Sequence, residues 1–163
     1  MTLKVQEREF KAHRCVLMAR SSVFAANFRH DTLERQTGVI VIPDCDPDSF
    51  HEFLEYLYCG KLEELSFPSA LNLYYTSDKY DIDDIKEFCT KYLMQCLTVE
   101  NVCEVAVFAD KYSETQLFSV VQDFFNNNAR KISDTSEWER LMQKDYRLAN
   151  KLLKKMMEVK NLE

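Results

Sequence analysis

The sequence predicts an α+β fold in which a small β-sheet is flanked by short α-helices and continued by an all-helical extension. Three observations predict it. Between Phe10 and Phe28 the apolar positions change from strand-like alternation to a helical period. Val39-Ile40-Val41-Ile42 is a run of β-branched residues closed by Pro43, the pattern of a buried strand. Beyond Leu97 the apolar spacing is helical only, and the change comes without a linker. The predicted division is therefore 1–97 for the α+β domain and 98–163 for the helical extension.

Taken in order, Leu3 and Val5 share one face with charged Lys4, Glu7 and Arg8 around them, as in a half-exposed hairpin. After His13, Val16, Leu17 and Ala19 supply one apolar turn. Ser21 or Ser22 can then cap a second helix carrying Val23, Phe24, Ala25 and Phe28. The polar stretch His30–Thr37 ends at Gly38, before the Val39–Ile42 strand. Asp46 followed by Pro47 starts a helix with Phe50, Phe53, Leu54 and Leu57 that stops at Gly60. Leu62–Leu65 has the pattern of a short edge strand. Ser66 and Pro68 open a helix with Ala70, Leu71, Leu73, Tyr74 and Tyr75, and another runs from Ile82 to Leu93. In the extension, Thr98 caps a helix with Val102, Val105, Ala106 and Ala109. Ser113 and Gln116 fit a capping box before Leu117, Val120, Val121, Phe124 and Phe125. Trp138 and Leu141 mark a shorter element, and the last helix spans about Tyr146 to Val159.

Composition bounds the chemistry. With 163 residues, 46% of them hydrophobic, and only 2 Gly and 3 Pro, the chain can bury a core and is neither loop-rich nor disordered. A net charge of -6 with interspersed Lys and Arg leaves no patch for a phosphate backbone, which argues against nucleic acid as the partner. Six cysteines without a Cys-x-x-Cys pair read as reduced, small core residues. No apolar run suits a bilayer and no signal pattern opens the chain, so no membrane partner is expected, and the nucleus or cytoplasm is the expected location.

Catalysis finds no constellation. His13 and Cys15 lie two apart on one element and diverge, with no third group or oxyanion loop beside them. The three histidines make no zinc spacing with the cysteines, and Asp81-Ile82-Asp83-Asp84 reads as an acidic helix start, not a calcium loop. No catalytic residue, metal or cofactor is expected. Met156 and Met157 place an apolar face on the last helix.

The order Phe10, Ala12, His13, Arg14, Leu17, Ala19, Ser21, Phe24 and Phe28 resembles the core signature of the BTB/POZ domain at every fixed position. Leu57-Tyr58-x-Gly60-Lys61, Asp78-Lys79-Tyr80, Leu97-x-Val99-Glu100-Asn101, Ala109-Asp110, Gln116-Leu117, Asp123-Phe124 and Thr135-Ser136-x-Trp138 extend the resemblance to the speckle-type POZ proteins. That resemblance implies a BTB/POZ fold followed by a BACK-like helical extension. It also implies a substrate adaptor of cullin-3 ubiquitin ligases, acting in ubiquitination and proteasomal degradation. In that family a separate amino-terminal TRAF-like (MATH) domain holds the substrate. By the same resemblance the cullin contact falls on Thr32, Leu33, Glu34, Tyr58, Tyr80 and Val102, and self-association on Val16, Leu17 and Asn127. The implied partners are cullin-3 and either full-length speckle-type relatives or a second copy of the chain.

Three departures qualify this. Residue 1 aligns with the first central strand, so the substrate domain, the dimer helix and the acidic partner of Arg14 would precede this chain; a buried charge without that partner is costly. The hydrophobic anchor of the cullin loop is Thr32. Tyr75-Thr76-Ser77 replaces small alanines, and Asn126-Asn127-Asn128 replaces a segment containing an aromatic, which predicts remodelled packing. The alternative function is a self-associating scaffold or competitor without cullin binding.

Overall fold

The computed structural model describes residues 1–29, 36–62 and 65–160, with side chains of the last helix through residue 154. The chain divides into two compact units, Met1–Tyr92 and Leu93–Glu163.

The first unit opens with strands β1 (Thr2–Val5) and β2 (Arg8–Lys11), which pair antiparallel through a turn in which Gln6 takes a φ of 50°. Strand β3 (Val39–Ile42) pairs parallel to β1, giving the order β2-β1-β3. Leu3, Val5, Phe10, Ile40 and Ile42 are buried on one face, whereas Lys4, Glu9 and Val41 lie side by side on the other. The expectation of a buried β3 is therefore corrected. It is an edge strand with Val41 68% exposed, because only one face of the sheet is covered.

Helices α1 (Arg14–Arg20) and α2 (Ser22–Arg29) meet at Ser21. Helices α3 (Pro47–Cys59) and α4 (Phe67–Lys79) form a second packed pair, and α1 also packs on α3. Helix α5 is Asp83–Gln95. Their ends follow the sequence chemistry. Asp46 accepts from the Ser49 N–H at 2.9 Å, Gly60 closes α3 at a φ of 68°, and Ser66 forms a reciprocal capping box with Ser69. The short strand expected at Leu62–Leu65 falls partly outside the described residues.

Ser21 is 1% exposed, and its hydroxyl makes two bonds. It accepts from the Phe24 N–H at 3.1 Å, capping α2, and donates to the Tyr80 carbonyl at 2.6 Å. The Phe24 ring stacks on Tyr80 with centroids 4.3 Å apart, and Phe53 and Phe50 continue the cluster. Thr76 and Ser77 are also buried, and each hydroxyl returns to a carbonyl one turn earlier, Asn72 at 3.0 Å and Leu73 at 2.7 Å. That local bonding is how the helix accommodates hydroxyls where small side chains were expected. Arg14 is half-buried, and its guanidinium stands 4.8 Å from the Phe28 ring centroid.

The second unit contains α6 (Val102–Lys111), α7 (Thr115–Ser133), α8 (Ser136–Lys144) and α9 (Tyr146–Lys160). Thr98 caps the turn that leads into α6: its hydroxyl accepts the Asn101 N–H at 3.2 Å, Asn101 Oδ1 accepts the Thr98 N–H at 2.8 Å, and the Thr98 carbonyl accepts the Val102 N–H at 3.1 Å. One sequence expectation at a helix start is corrected. Ser113 sits at a φ of 57°, with the Glu114 N–H donating to the Ala109 carbonyl; it terminates α6 instead of capping α7, so the capping box does not form. Trp138 packs on Phe125 with centroids 4.9 Å apart. Asp110, 15% exposed, receives Lys151 at 2.8 Å and Arg147, which ties α6 to α9. Lys151 first, and Arg147, hold the Asp110 carboxyl below its ordinary range.

Ser21→Ala will lower stability by about 2–3 kcal/mol in denaturant titrations followed by circular dichroism, since it leaves the Phe24 N–H and the Tyr80 carbonyl buried and unpaired. Asp110→Asn will destabilise the second unit by about 1 kcal/mol at neutral pH, followed through Trp138 fluorescence. Because the folded pKa is depressed, that contribution is present above the ordinary carboxylate pKa and lost as pH falls through the folded value. The difference between variant and parent therefore closes in acid, below the ordinary carboxylate range.

Candidate protein-interaction surface

Helices α1 and α3 leave a shallow groove between them. Cys15, Val16, Ala19 and Arg20 from α1 face Leu57 and Tyr58 from α3 across a volume of about 320 Å³. On α1 these are positions i, i+1, i+4 and i+5, one stripe of the helix, whose opposite side sends Leu17 fully into the core.

Tyr58 fixes one end of the groove. It is 45% exposed, and its phenol oxygen accepts the His13 N–H at 2.7 Å while lying 2.9 Å from His13 Nδ1. The backbone N–H donates to the phenol oxygen, and the phenol shares a second hydrogen bond with Nδ1 whose direction follows the imidazole tautomer. The two rings are edge to face at 5.9 Å. His13 is the residue that enters α1 and makes no side-chain cap of its own, so Tyr58 anchors the start of α1 from α3. At the other end of α1, the Arg20 guanidinium stands 5.4 Å from the Tyr56 ring centroid.

The residues assigned from sequence separate into four groups. Val16 and Tyr58, placed in different contact sets by the sequence, line the same groove. Leu17, Tyr80 and Val102 are 0%, 3% and 0% exposed in the single chain, and burial pushes the Tyr80 phenol above its ordinary range. Asn127 is exposed on α7, with Asn128 returning its amide to the Phe124 carbonyl at 2.9 Å. Thr32, Leu33 and Glu34 lie outside the described residues. The sequence reasoning missed the His13–Tyr58 clamp and the contribution of Cys15, Ala19, Arg20 and Leu57. The helical spacing within α1 could have pointed to its part of the stripe.

Cys15 and Cys59 are exposed, whereas Cys45, Cys89 and Cys103 are buried. Burial pushes the thiols of Cys89 and Cys103 up to about 12 and about 11, leaving them protonated and poor nucleophiles. Among the described residues no three His, Cys, Asp or Glu side chains are grouped to hold a metal, and no helix is long and apolar enough to cross a membrane.

A three-stranded sheet, paired helices and a shallow groove of mixed character make this a protein-interaction domain. The chain belongs to the BTB/POZ family, whose domain model matches residues 1–97. It is 36% identical over 148 residues to the mouse TD and POZ domain-containing protein 4, an alignment covering 90% of this chain and 40% of that relative. It is also 36% identical over 142 residues to the mouse TD and POZ domain-containing protein 5, covering 86% of this chain and 42% of the relative. The chain thus spans about two fifths of the length of these curated relatives.

Tyr58→Phe keeps the groove wall but removes both bonds to His13. It will cost about 1 kcal/mol in denaturant titrations and accelerate hydrogen exchange at the His13 amide, while amides in β1 keep their parent rates.

Proposed function

We propose that this chain is a non-enzymatic adaptor-type module of the speckle-type POZ kind, which brings cullin-3 to a second POZ chain in a ubiquitin ligase. In this reading the cullin meets Thr32, Leu33 and Glu34, with the exposed ring of Tyr58 as a further contact. The groove built from Val16, Ala19 and Leu57 receives a second POZ chain, either another copy or a full-length relative that carries a substrate arm. Residues 98–163 serve as a BACK-like extension, with Asn127 on its self-association side, and the module works in the nucleus or cytoplasm. The observation that carries this reading is Glu34 at the glutamate position of the contact loop, in a chain whose residues 1–97 match the BTB/POZ domain.

Thr32 supports a second reading, a self-associating or competing module that has lost the cullin contact. Buried anchors dominate the energetics of an interface, and replacing a Met or Leu side chain by Thr costs about 1–3 kcal/mol, about one to two decades of affinity. The two readings agree on the groove and differ only at the loop.

Light scattering on a size-exclusion column, with the chain alone and then mixed with the amino-terminal segment of cullin-3, separates them. On the adaptor reading a complex forms, Thr32→Met tightens it by about tenfold or more, and Glu34→Ala weakens it by a similar factor. A folded chain that forms no complex, even as Thr32→Met, assigns the module to self-association alone.

A further inference from the structure

The two edges of the sheet differ in kind. The outer edge of β2 carries Arg8, Glu9 and Lys11, exposed charges of the sort that keep an edge from pairing with other chains. Strand β3 carries four β-branched residues and no charge, and among the described residues no strand pairs with its outer side. The hydrogen-bond phase shows what that side offers. The Thr2 N–H donates to the Gly38 carbonyl at 2.8 Å and the Gln6 N–H to the Ile42 carbonyl at 3.2 Å, so Gly38, Ile40 and Ile42 serve the ladder to β1. By the alternation of a strand, Val39 and Val41 then turn their N–H and C=O groups outward. The Val39 N–H reaches only the Thr37 hydroxyl, at 3.3 Å. Among the described residues, Gln36, Thr37, Pro43 and Asp44 on either side are exposed.

We propose that β3 pairs antiparallel with β3 of a second copy of this chain, joining two three-stranded sheets across a two-fold axis at Ile40. In that register Val39 lies opposite Val41 of the second copy and exchanges both backbone bonds with it, twice by symmetry. The strand is self-complementary in charge: no like-charged residues meet across the axis, and like β-branched side chains are set beside each other on each face. Pro43 has no N–H and ends the ladder at the same place in both copies. A pairing this short buries far less than the ~1,200 Å² of a stable dimer, so the contact is weak alone and forms where chains are concentrated. It uses a surface separate from the α1–α3 groove and does not rest on the adaptor reading.

Sedimentation equilibrium of the full chain across a concentration series tests it, in a Val16→Arg background that disables the groove. Association should persist there and its dissociation constant should rise about tenfold or more with Val41→Lys, which sets like charges against the edge, while Val41→Thr leaves it near the parent value. The Val41 side chain is 68% exposed, so both variants should fold with the parent's circular dichroism. Exchange of the Val41 amide, directed outward in the single chain, should slow as concentration rises. If Val16→Arg alone abolishes association, if Val41→Lys changes nothing, or if the Val41 amide exchanges freely at every concentration or slows only with a different protein present, the pairing is overturned.

Discussion

The hydroxyl of Ser21 is the point on which the first unit depends. Its single hydrogen goes to the Tyr80 carbonyl and its lone pair receives the Phe24 N–H, so one buried oxygen joins segments 59 residues apart. The neighbouring Ser22 repeats the tie at the surface, donating to Asp81 at 2.5 Å. Asp81 needs that support, because it holds a φ of 59°, an unfavourable conformation for a residue with a Cβ. Stacking of Phe24 on Tyr80 fills the space beneath. Without this joint the helical corner of α1 and α2 has no fixed relation to the turn between α4 and α5, and the groove has no fixed wall.

That dependence explains how an interaction surface can be shallow and still well defined. Apart from the buried Leu57, the groove is lined by side chains that are partly or fully exposed, but each wall is backed by a rigid layer. Leu17 lies behind Val16, Leu54 and Phe53 lie in the body of α3, and Tyr58 pins the first residue of α1. A surface of this kind meets partners by shape and by a few anchors, with little reorganisation on binding. Its chemistry is quiet: the buried thiols are protonated, and the charged residues are spent on local pairs such as Lys79 and Asp44.

Much of the first unit was legible in the sequence because its signals are local. The change of period at His13, the Asp46 cap, Gly60 at the end of α3 and the Ser66 start each depend on residues within one turn of each other. The misreadings have a common physical origin. Val39–Ile42 has the composition of a buried strand, but whether a strand is central or at an edge depends on which segments come to lie beside it. Ser113 and Gln116 have the spacing of a capping box, but Ser113 was already committed to closing the preceding helix. The family was readable from the spacing of Phe10 to Phe28. Exposure was less readable, since Leu17, Tyr80 and Val102 are buried by segments that their local sequence does not name. The pairing of His13 with Tyr58, 45 residues away, has no local trace at all.

The order of the strands has a consequence for how the chain acquires its structure. β1 occupies the centre of the sheet, yet one of its neighbours is β3, which begins only at Val39. The hairpin of β1 and β2 is thus an incomplete product that exposes Leu3, Val5 and Phe10 until a long loop has closed, and the Ser21 joint closes later still, once Tyr80 is in place. During synthesis the helices can form as they emerge, but the sheet must wait, because non-local pairing repays its loop-closure entropy only at the end. Folding of this unit is therefore late: a ribosome-bound chain that ends before Ile42 presents an unfinished sheet, and one that ends before Tyr80 lacks the Ser21 joint.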